Sequence, residues 1–252
     1  MEDDTVASGA GAKEMKVGVV IPIFERTPAL ALDVTRQAEA EGIDGVFCYD
    51  HLFPLRRPDR PALSSVPMLA AVACITSRVH VGPLVSRVSL VPDPVLVQAL
   101  VTIDRIADGR LIAGLGAGDH LNRSEQQPFG LPFPTVAERL ARLEAVTTEL
   151  GERGVRTWIG GRSPMVRALA GRVADGWNCW DGTELELSTF RRPEGRSFEL
   201  TWGGPPPRDG SMVAHLHAMA RLGVAWVVYG PPPDIDWPLF MTKMAGAAEA
   251  VH

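Results

Sequence analysis

The chain alternates between two kinds of segment, and this alternation restricts the fold more than any other feature of the sequence. Short apolar runs rich in β-branched residues, typical of buried strands, are followed by stretches whose apolar residues recur every three or four positions, as in amphipathic helices. Repeated strand–helix units of this kind favour a parallel sheet. The predicted strands cover residues 16–24, 45–49, 79–85, 111–116, 156–160, 176–179, 198–202 and 225–229. Such a series in 252 residues predicts a compact α/β fold, a (β/α)₈ TIM barrel with few insertions.

The predicted helices indicate where their buried faces and their ends lie. One apolar face of the third helix is formed by Leu96, Leu100, Ile103 and Ile106. A glycine suits the left-handed position that follows a helix, and three predicted helices are followed by one: Gly42, Gly109 and Gly223. A last helix at 239–250 is predicted to close the ring. These features indicate a core and carry no functional information.

Charge and hydropathy exclude two kinds of partner. The net charge is −5 and the basic residues are scattered, so the sequence has no basic stripe that could neutralise a nucleic-acid backbone. No apolar run reaches the roughly 20 residues that a membrane-spanning helix needs. We therefore expect a small-molecule substrate, no nucleic acid and no membrane, in a cytoplasmic protein that is either a monomer or a homodimer.

The cysteines and the first residues indicate the compartment and the domain limits. Cys48, Cys74 and Cys179 are odd in number and lie in apolar runs, which is typical of buried free thiols in a reducing compartment. Residues 1–14 are small and polar and lack the apolar segment of a signal peptide. We expect a disordered tail at 1–14 and a single domain at 15–252.

In a parallel barrel the groups that bind substrate gather where strands end and loops begin. Asp50 and His51 directly follow the second predicted strand, where a carboxylate and an imidazole suit proton transfer or contact with a cofactor ring. The alternative is that Asp50 caps the next turn and His51 has no role. A metal site could also begin with such a pair, but no further cluster of histidines or acids supports one, so we expect no metal.

Two further strand ends contain glycine. After the third strand, glycine and proline predict either a bulge beside a ligand or an ordinary irregular strand end, over the residues Gly82, Pro83, Leu84, Val85 and Ser86. At the fourth, glycines spaced by two would let a flat ligand approach the backbone, over the residues Gly114, Gly116, Ala117, Gly118 and Asp119. The spacing does not match the dinucleotide-binding fingerprint.

The turn after the fifth strand contains Gly160, Gly161, Arg162 and Ser163. Ser163 is predicted to cap the next helix, with a proline at its first position. Backbone N–H groups, a helix N terminus and an arginine together suit a phosphate, whereas the alternative is a capped turn with a solvated Arg162. After the sixth strand, Trp177, Asn178 and Trp180 offer either aromatic walls for a ligand or packing at the rim.

Taken in order, these motifs resemble the luciferase-like flavin- and deazaflavin-dependent oxidoreductases, especially the members that use coenzyme F-420 (F420 below). The likeness extends from Val17 to about Trp180, with weaker agreement to Tyr229. The matching pieces are 42–45, 49–51, Asp104 with 109–110, 114–119, Glu125, 129–133, 138–139, 143–144, 158–161 and 174–178. Region 182–196 has no counterpart in this family that we recognise.

The resemblance implies a place for each part of the cofactor. The tricyclic ring would lie at the barrel mouth against Leu84, Val85 and Ser86, where similar enzymes contain a non-proline cis peptide. Asp50 and His51 would face its reactive edge, and Asp119 occupies a position that some relatives fill with a catalytic acid. The residues that would line the ring are Gly116, Ala117 and Gly118, and those that would bind the ribityl phosphate are Gly160, Gly161, Arg162 and Ser163.

Three functions stay open at this point. The first is an oxidoreductase that uses F420 for hydride transfer to or from a small organic substrate; the second is an FMN-dependent monooxygenase. The third is a flavin- or deazaflavin-binding protein without turnover. Ionisable side chains at Asp50, His51 and Asp119 favour catalysis, because binding alone does not need them at the ring edge. The acidic tail of F420 would need cations at the rim, for which the candidates are Arg123, Arg162 and Arg167.

Overall fold

Nine parallel strands form one sheet in the part of the chain that the structure describes. This computed structural model describes residues 14–209, 211–232 and 234–251. The strands are β1 (Lys16–Val20), β2 (Gly45–Cys48), β3 (His80–Pro83), β4 (Ser86–Arg87), β5 (Ile112–Gly116), β6 (Arg156–Gly160), β7 (Gly176–Trp180), β8 (Glu199–Gly204) and β9 (Trp226–Tyr229). Their order in the sheet is β3-β2-β1-β9-β8-β7-β6-β5-β4.

The two edges of this sheet meet, so the sheet closes into a barrel. A bridge between Val81 and Leu111 joins β3 to the start of β5, and β4 pairs with β5 itself. β3 lies within the predicted third strand at 79–85, and β4 begins one residue beyond its predicted end. A cis peptide bond between Leu84 and Val85 separates the two. The predicted (β/α)₈ barrel is confirmed, with an interruption in place of a continuous strand at 79–85.

Helices pack around the outside of the barrel. They are α1 (Ala29–Ala40), α2 (Ser65–Ile75), α3 (Asp93–Ile106), α4 (Asn122–Gln126), α5 (Val136–Glu152), α6 (Pro164–Val173), α7 (Glu184–Ser188), α8 (Met212–Arg221) and α9 (Trp237–Glu249). Gly42 and Gly223 follow α1 and α8 with positive φ, as predicted. After α3 the first left-handed residue is Asp108, and Gly109 comes second.

Two side chains predicted to be buried lie at the surface. Ile106 is 42% exposed, because at 3.6 residues per turn it points about 80° away from Leu96, at the edge of the apolar face. Cys74 is exposed, because it lies about 140° around α2 from the buried Leu69. Cys48 and Cys179 are buried free thiols.

The barrel interior is filled by side chains. A cluster of buried apolar residues occupies it, namely Val20, Phe47, Leu84, Ile112, Trp158, Trp226 and Val228. Phe47 stacks on Trp158, and Trp226 packs edge-on against the same indole. A ligand therefore has to bind at an end of the barrel rather than in its middle.

Two further expectations from the sequence concern membrane-spanning helices and the N-terminal tail. Of the helices in the described ranges, none is long and apolar enough to cross a membrane. The predicted tail at 1–14 lies outside the described residues except for Glu14.

Candidate functional site

A cleft of about 510 Å³ opens at the C-terminal ends of the strands. Residues from well-separated parts of the sequence meet there. The predicted site residues that line it are Asp50, His51, Leu84, Val85, Gly116, Ala117, Gly118, Asp119, Gly160, Gly161, Arg162 and Ser163. Ser86 does not line it but is buried in β4, because successive residues of a strand point to opposite faces. Arg87, the next residue, lines the cleft again.

Asp50 holds neighbouring segments in place. Its Oδ1 accepts a hydrogen bond of 2.7 Å from the hydroxyl of Ser65 at the start of α2. Its Oδ2 accepts one of 3.0 Å from the backbone N–H of Arg87. The backbone carbonyl of Asp50 also accepts from the Arg87 guanidinium, with distances of 3.0 and 2.7 Å. Both carboxylate oxygens therefore bind segments that lie 15 and 37 positions further along the chain. Asp50 joins distant segments and does not cap the next turn, which was one of the two sequence interpretations of this residue.

His51 is held by a buried ion pair. Its Nδ1 lies 3.1 Å from Glu125 Oε2. Arg87 donates to both oxygens of the same carboxylate, from Nη1 at 2.9 Å and from Nη2 at 3.0 Å. The backbone N–H of Leu52 donates to Glu125 as well. The side chains of Glu125 and Arg87 are both buried, so the imidazole is fixed to a rigid wall of the cleft.

The charge of Glu125 determines the tautomer of His51. Burial by itself would raise the pKa of Glu125. The hydrogen bond from His51 and the charges of His51 and Arg87 outweigh this effect and lower the pKa to about 2. An ionised carboxylate only accepts hydrogen bonds, so His51 Nδ1 has to carry the hydrogen. The other ring nitrogen, Nε2, is then the one that can exchange a proton.

The interrupted third strand fits against glycines of the neighbouring strands. A Cβ atom added to Gly114 would lie 2.2 Å from the carbonyl oxygen of Pro83, and one added to Gly116 would lie 2.5 Å from Val85 Cγ2. At Gly160 the distance to Val85 Cγ1 would be 2.7 Å. The Pro83 carbonyl and the Val85 side chain thus occupy the space that side chains at these glycines would fill. The glycines therefore serve the packing of the third strand, and the approach of a flat ligand to their backbone stays a prediction.

The turn after β6 has the predicted cap. The Ser163 hydroxyl accepts a hydrogen bond of 3.3 Å from the N–H of Val166, and α6 begins at the following proline. Gly161 has a φ of 138°, and an added Cβ would lie 3.0 Å from Val166 Cγ1. Within the described ranges the backbone N–H groups of Arg162 and Ser163 have no intramolecular acceptor. The turn therefore offers two free donors beside a helix N terminus.

The side chain of Arg162 is not simply solvated. Its Nε and Nη2 donate to the two oxygens of Glu186 at 2.8 and 2.7 Å. The hydrogen bond from Arg162, together with one from the backbone of Thr183, lowers the pKa of Glu186 to about 2. Glu186 lies on α7, in the region without a recognised family counterpart. An anion at the turn would share Arg162 with this carboxylate.

Several cleft residues were not predicted as site residues. They are Tyr49, Leu55, Arg87, Leu121, Asn122 and Val166. Arg87 could have been found from its position, since it follows Val85 by two residues and strand alternation puts both on one face.

Trp177, Asn178 and Trp180 were predicted either to line a ligand site or to pack at the rim, and the structure shows both. Trp177 is buried and stacks on Phe190, so it belongs to the packing alternative. Asn178 and Trp180 line the cleft. In the described part of the chain, no three His, Cys, Asp or Glu side chains are grouped so as to hold a metal ion.

Relatives identified by sequence are enzymes with a deazaflavin cofactor in their names. The F420-dependent glucose-6-phosphate dehydrogenase of Kineococcus radiotolerans is 31% identical over 200 residues, which cover 69% of this chain and 58% of the relative. The enzyme of the same name from Beutenbergia cavernae is 32% identical over 202 residues, covering 69% and 59%. The chain thus spans less than two thirds of the length of these relatives.

Structural comparison and a family model agree with the sequence likeness. A solved F420-dependent secondary alcohol dehydrogenase, in complex with an F420–acetone adduct, superposes with a TM-score of 0.79 at 14% identity, covering 95% of this chain and 99% of the other. At that identity the likeness shows the fold. The model of the luciferase-like monooxygenase family matches residues 15–198. The chain therefore belongs to the luciferase-like monooxygenase family.

Proposed function

We propose that this protein is an oxidoreductase that binds F420 in the cleft at the barrel mouth and transfers hydride between it and a small organic substrate. The proposal rests on one observation: the same cleft contains a histidine that is bonded to a buried carboxylate and a turn with free backbone N–H groups. His51 is fixed by the buried Glu125–Arg87 ion pair, and the free N–H groups of Arg162 and Ser163 lie on the same cleft.

The residues present fit a ring with a phosphate-bearing chain. Leu84, Val85 and Ala117 give the cleft an apolar wall suited to a flat ring. At the turn, Gly161 has a φ of 138° and an added Cβ would lie 3.0 Å from Val166 Cγ1, so this backbone conformation requires glycine. Two N–H groups and the N terminus of α6 would bind the phosphate.

The bound F420 would supply the group that accepts or donates hydride. His51 would take or return the substrate's proton through Nε2, and Glu125 would keep the imidazole in the tautomer that this requires. Asp119, exposed at the rim, would be a second group that can accept or return the same proton. Its Oδ1 accepts a hydrogen bond of 2.8 Å from the N–H of Leu121, which orients the side chain.

An FMN-dependent monooxygenase is the second candidate. A ring wall and a phosphate turn serve FMN and F420 equally, so these features do not decide between them. The names of the sequence relatives favour F420, and a protein that only stores the cofactor would not need a polarised histidine.

Substrate-dependent oxidation of the bound cofactor tests the proposal. Protein loaded with reduced F420 is mixed anaerobically with a panel of ketones and imines, and the absorbance of the oxidised cofactor is followed. We expect at least one compound to restore this absorbance at a rate that is proportional to protein concentration. Tight F420 binding without turnover on any compound in either direction would instead support a storage protein.

A further inference from the structure

A segment without a recognised family counterpart lies against the turn after β6. It consists of α7 and the residues on either side of it, 181–190. Phe190 stacks on Trp177 of β7, with the ring centroids 4.6 Å apart. Arg167 of α6 donates a hydrogen bond of 3.2 Å to the backbone carbonyl of Glu186. The segment is therefore fastened to the strand and the helix that flank the turn.

Glu186 has a fixed position on this segment. Its Oε2 accepts hydrogen bonds from the backbone N–H and the hydroxyl of Thr183, at 3.0 and 3.2 Å, in the capping box of α7. The same carboxylate binds the Arg162 guanidinium through two parallel hydrogen bonds. With a pKa of about 2, which the hydrogen bond from Arg162 lowers, it is ionised at neutral pH. An anion that approaches Arg162 therefore also approaches a negative charge that is held in place.

This ion pair leaves the turn with only a small positive charge. The charges of Arg162 and Glu186 cancel, so the N terminus of α6 remains, equivalent to about half of a positive unit charge. The two free backbone N–H groups, of Arg162 and Ser163, lie there. Arg87 is the other arginine or lysine among the described residues that line the cleft, and it donates to Glu125. A turn of this kind balances one negative charge better than two.

The two candidate cofactors would present different phosphates to the turn. The phosphate of FMN is a monoester, which carries two negative charges above its second pKa of about 6. The phosphate of F420 is a diester, because it joins the ribityl chain to the acidic tail, and it carries one. The backbone N–H groups can bind either phosphate, whereas the charge of Glu186 repels the doubly charged one more strongly.

We infer that Glu186 is a specificity-determining residue for the cofactor: paired with Arg162, it suits the turn to a singly charged phosphodiester and removes the advantage of a doubly charged phosphomonoester. This inference rests on the proposed function. Glu186 is not among the residues that line the cleft, so it acts on the phosphate through Arg162 and through its charge.

Titration with three ligands that share one ring tests this inference. They are the ring and ribityl chain of F420 without phosphate, with a terminal phosphomonoester, and with the methyl ester of that phosphate, which is a diester. Ring fluorescence is followed at about pH 8, where the monoester carries two charges. In the wild type we expect the monoester to bind no more tightly than the diester.

Glu186→Gln removes the charge but keeps a side-chain oxygen for the cap of α7. Each phosphate charge should then contribute about fivefold to the affinity. We expect the diester to bind about fivefold and the monoester about 25-fold more tightly than in the wild type. The affinity of the ring without phosphate should not change, which shows that the variant is folded.

Glu184→Gln is the matched control. It removes the same charge from an exposed residue of the same helix that takes no part in the pair with Arg162. Screening by salt should limit its effect to less than about twofold on all three affinities.

The ligand without phosphate separates this inference from the proposed function. If none of the three ligands binds to the wild type, both are wrong. If the ring binds, two results show that only the role of Glu186 is wrong. The first is that Glu186→Gln changes the affinities of monoester and diester by the same factor, and the second is that the wild type already binds the monoester more tightly.

Discussion

Glu125 determines what His51 can do. The carboxylate is buried, ionised and bonded to both His51 and Arg87, so the imidazole has one orientation and one neutral tautomer. A base oriented by a buried carboxylate recurs in proton-transfer sites on unrelated folds. Because the ring is already oriented, Nε2 can exchange a proton without reorganisation of the surrounding loops.

Replacing His51 with alanine should therefore affect chemistry and leave cofactor binding unchanged. We expect His51→Ala to lower kcat about 100-fold, the lower end of what a positioned general base contributes, with F420 affinity within twofold of wild type. Steady-state kinetics and cofactor titration measure the two effects. His217→Ala, an exposed histidine on α8, is the matched control. Full activity of His51→Ala would exclude a role for His51 in proton transfer.

The sequence located several site residues but not the partners that orient them. Asp50, His51 and the turn glycines could be located because strand ends are visible in the sequence. The partners Arg87 and Glu125 are 38 positions apart, and Arg162 and Glu186 are 24 positions apart. Such pairs depend on how loops fold back over the barrel, which no local period or spacing encodes.

At the scale of elements, one ion-pair network joins the loop after β2, strand β4 and helix α4. The folded pKa of Glu125 is about 2, below its ordinary value of 4.5. Its ionisation therefore stabilises the fold fully above pH 4.5, and this stabilisation is lost as the pH falls toward 2.

Glu125→Gln removes this pH-dependent contribution. The variant should be less stable than wild type by about 3 kcal/mol at pH 7, because Arg87 loses its partner. The difference should shrink as the pH is lowered from 4.5 toward 2. Urea unfolding at a series of pH values measures both quantities, and a constant difference across that range would contradict the assigned charge.

The N terminus of α6 is predicted to bind the cofactor's phosphate rather than its ring. Gly161→Ala places a Cβ near Val166 at a backbone conformation that alanine rarely adopts, which should distort the turn. We expect F420 to bind about tenfold more weakly, while the same ring without its phosphate loses less than twofold. Fluorescence titration with both ligands compares them. Equal losses for the two ligands would mean that the turn does not contact the phosphate.

The packing of the interrupted third strand depends on glycines in the neighbouring strands, where a side chain would collide with it. Gly114→Ala would put a Cβ 2.2 Å from the carbonyl oxygen of Pro83, so we expect a loss of about 3 kcal/mol from overpacking. Gly246→Ala is the matched control, since it lies within α9 and, apart from the nearby backbone of that helix, no atom lies within 4 Å of an added Cβ. That control should gain up to about 1 kcal/mol. Unfolding curves in urea distinguish the two, and a neutral Gly114→Ala would show that the strand can move.

Some strands and helices could be predicted from the sequence, and others could not. Strand β6 was predicted with the bounds that the structure shows, 156–160, because its apolar run ends at Gly160 and Gly161. Gly82 and Pro83 predicted an irregularity at the end of the third strand, whereas the cis peptide bond between Leu84 and Val85 could be anticipated only from the family resemblance. Helix α7 is five residues long, too short for an apolar period to appear.

For the whole molecule, the filled interior and the closed sheet leave function to the loops at one end. Tryptophans occupy the barrel centre, and the cleft gathers residues from the ends of most strands. The architecture therefore explains why glycines, an imidazole and a turn with free backbone N–H groups meet in one cleft.

The central claim is that this cleft binds F420 in preference to FMN, and parallel equilibrium titrations of the purified protein test it most directly. Oxidised and reduced forms of both cofactors are titrated while absorbance, fluorescence and oxygen consumption are recorded. We predict that F420 binds at least about ten times more tightly than FMN, a difference of about 1.4 kcal/mol, and that the reduced complex consumes no oxygen. Tighter binding of FMN, with oxygen consumed on reduction, would contradict the account and identify a flavin-dependent monooxygenase.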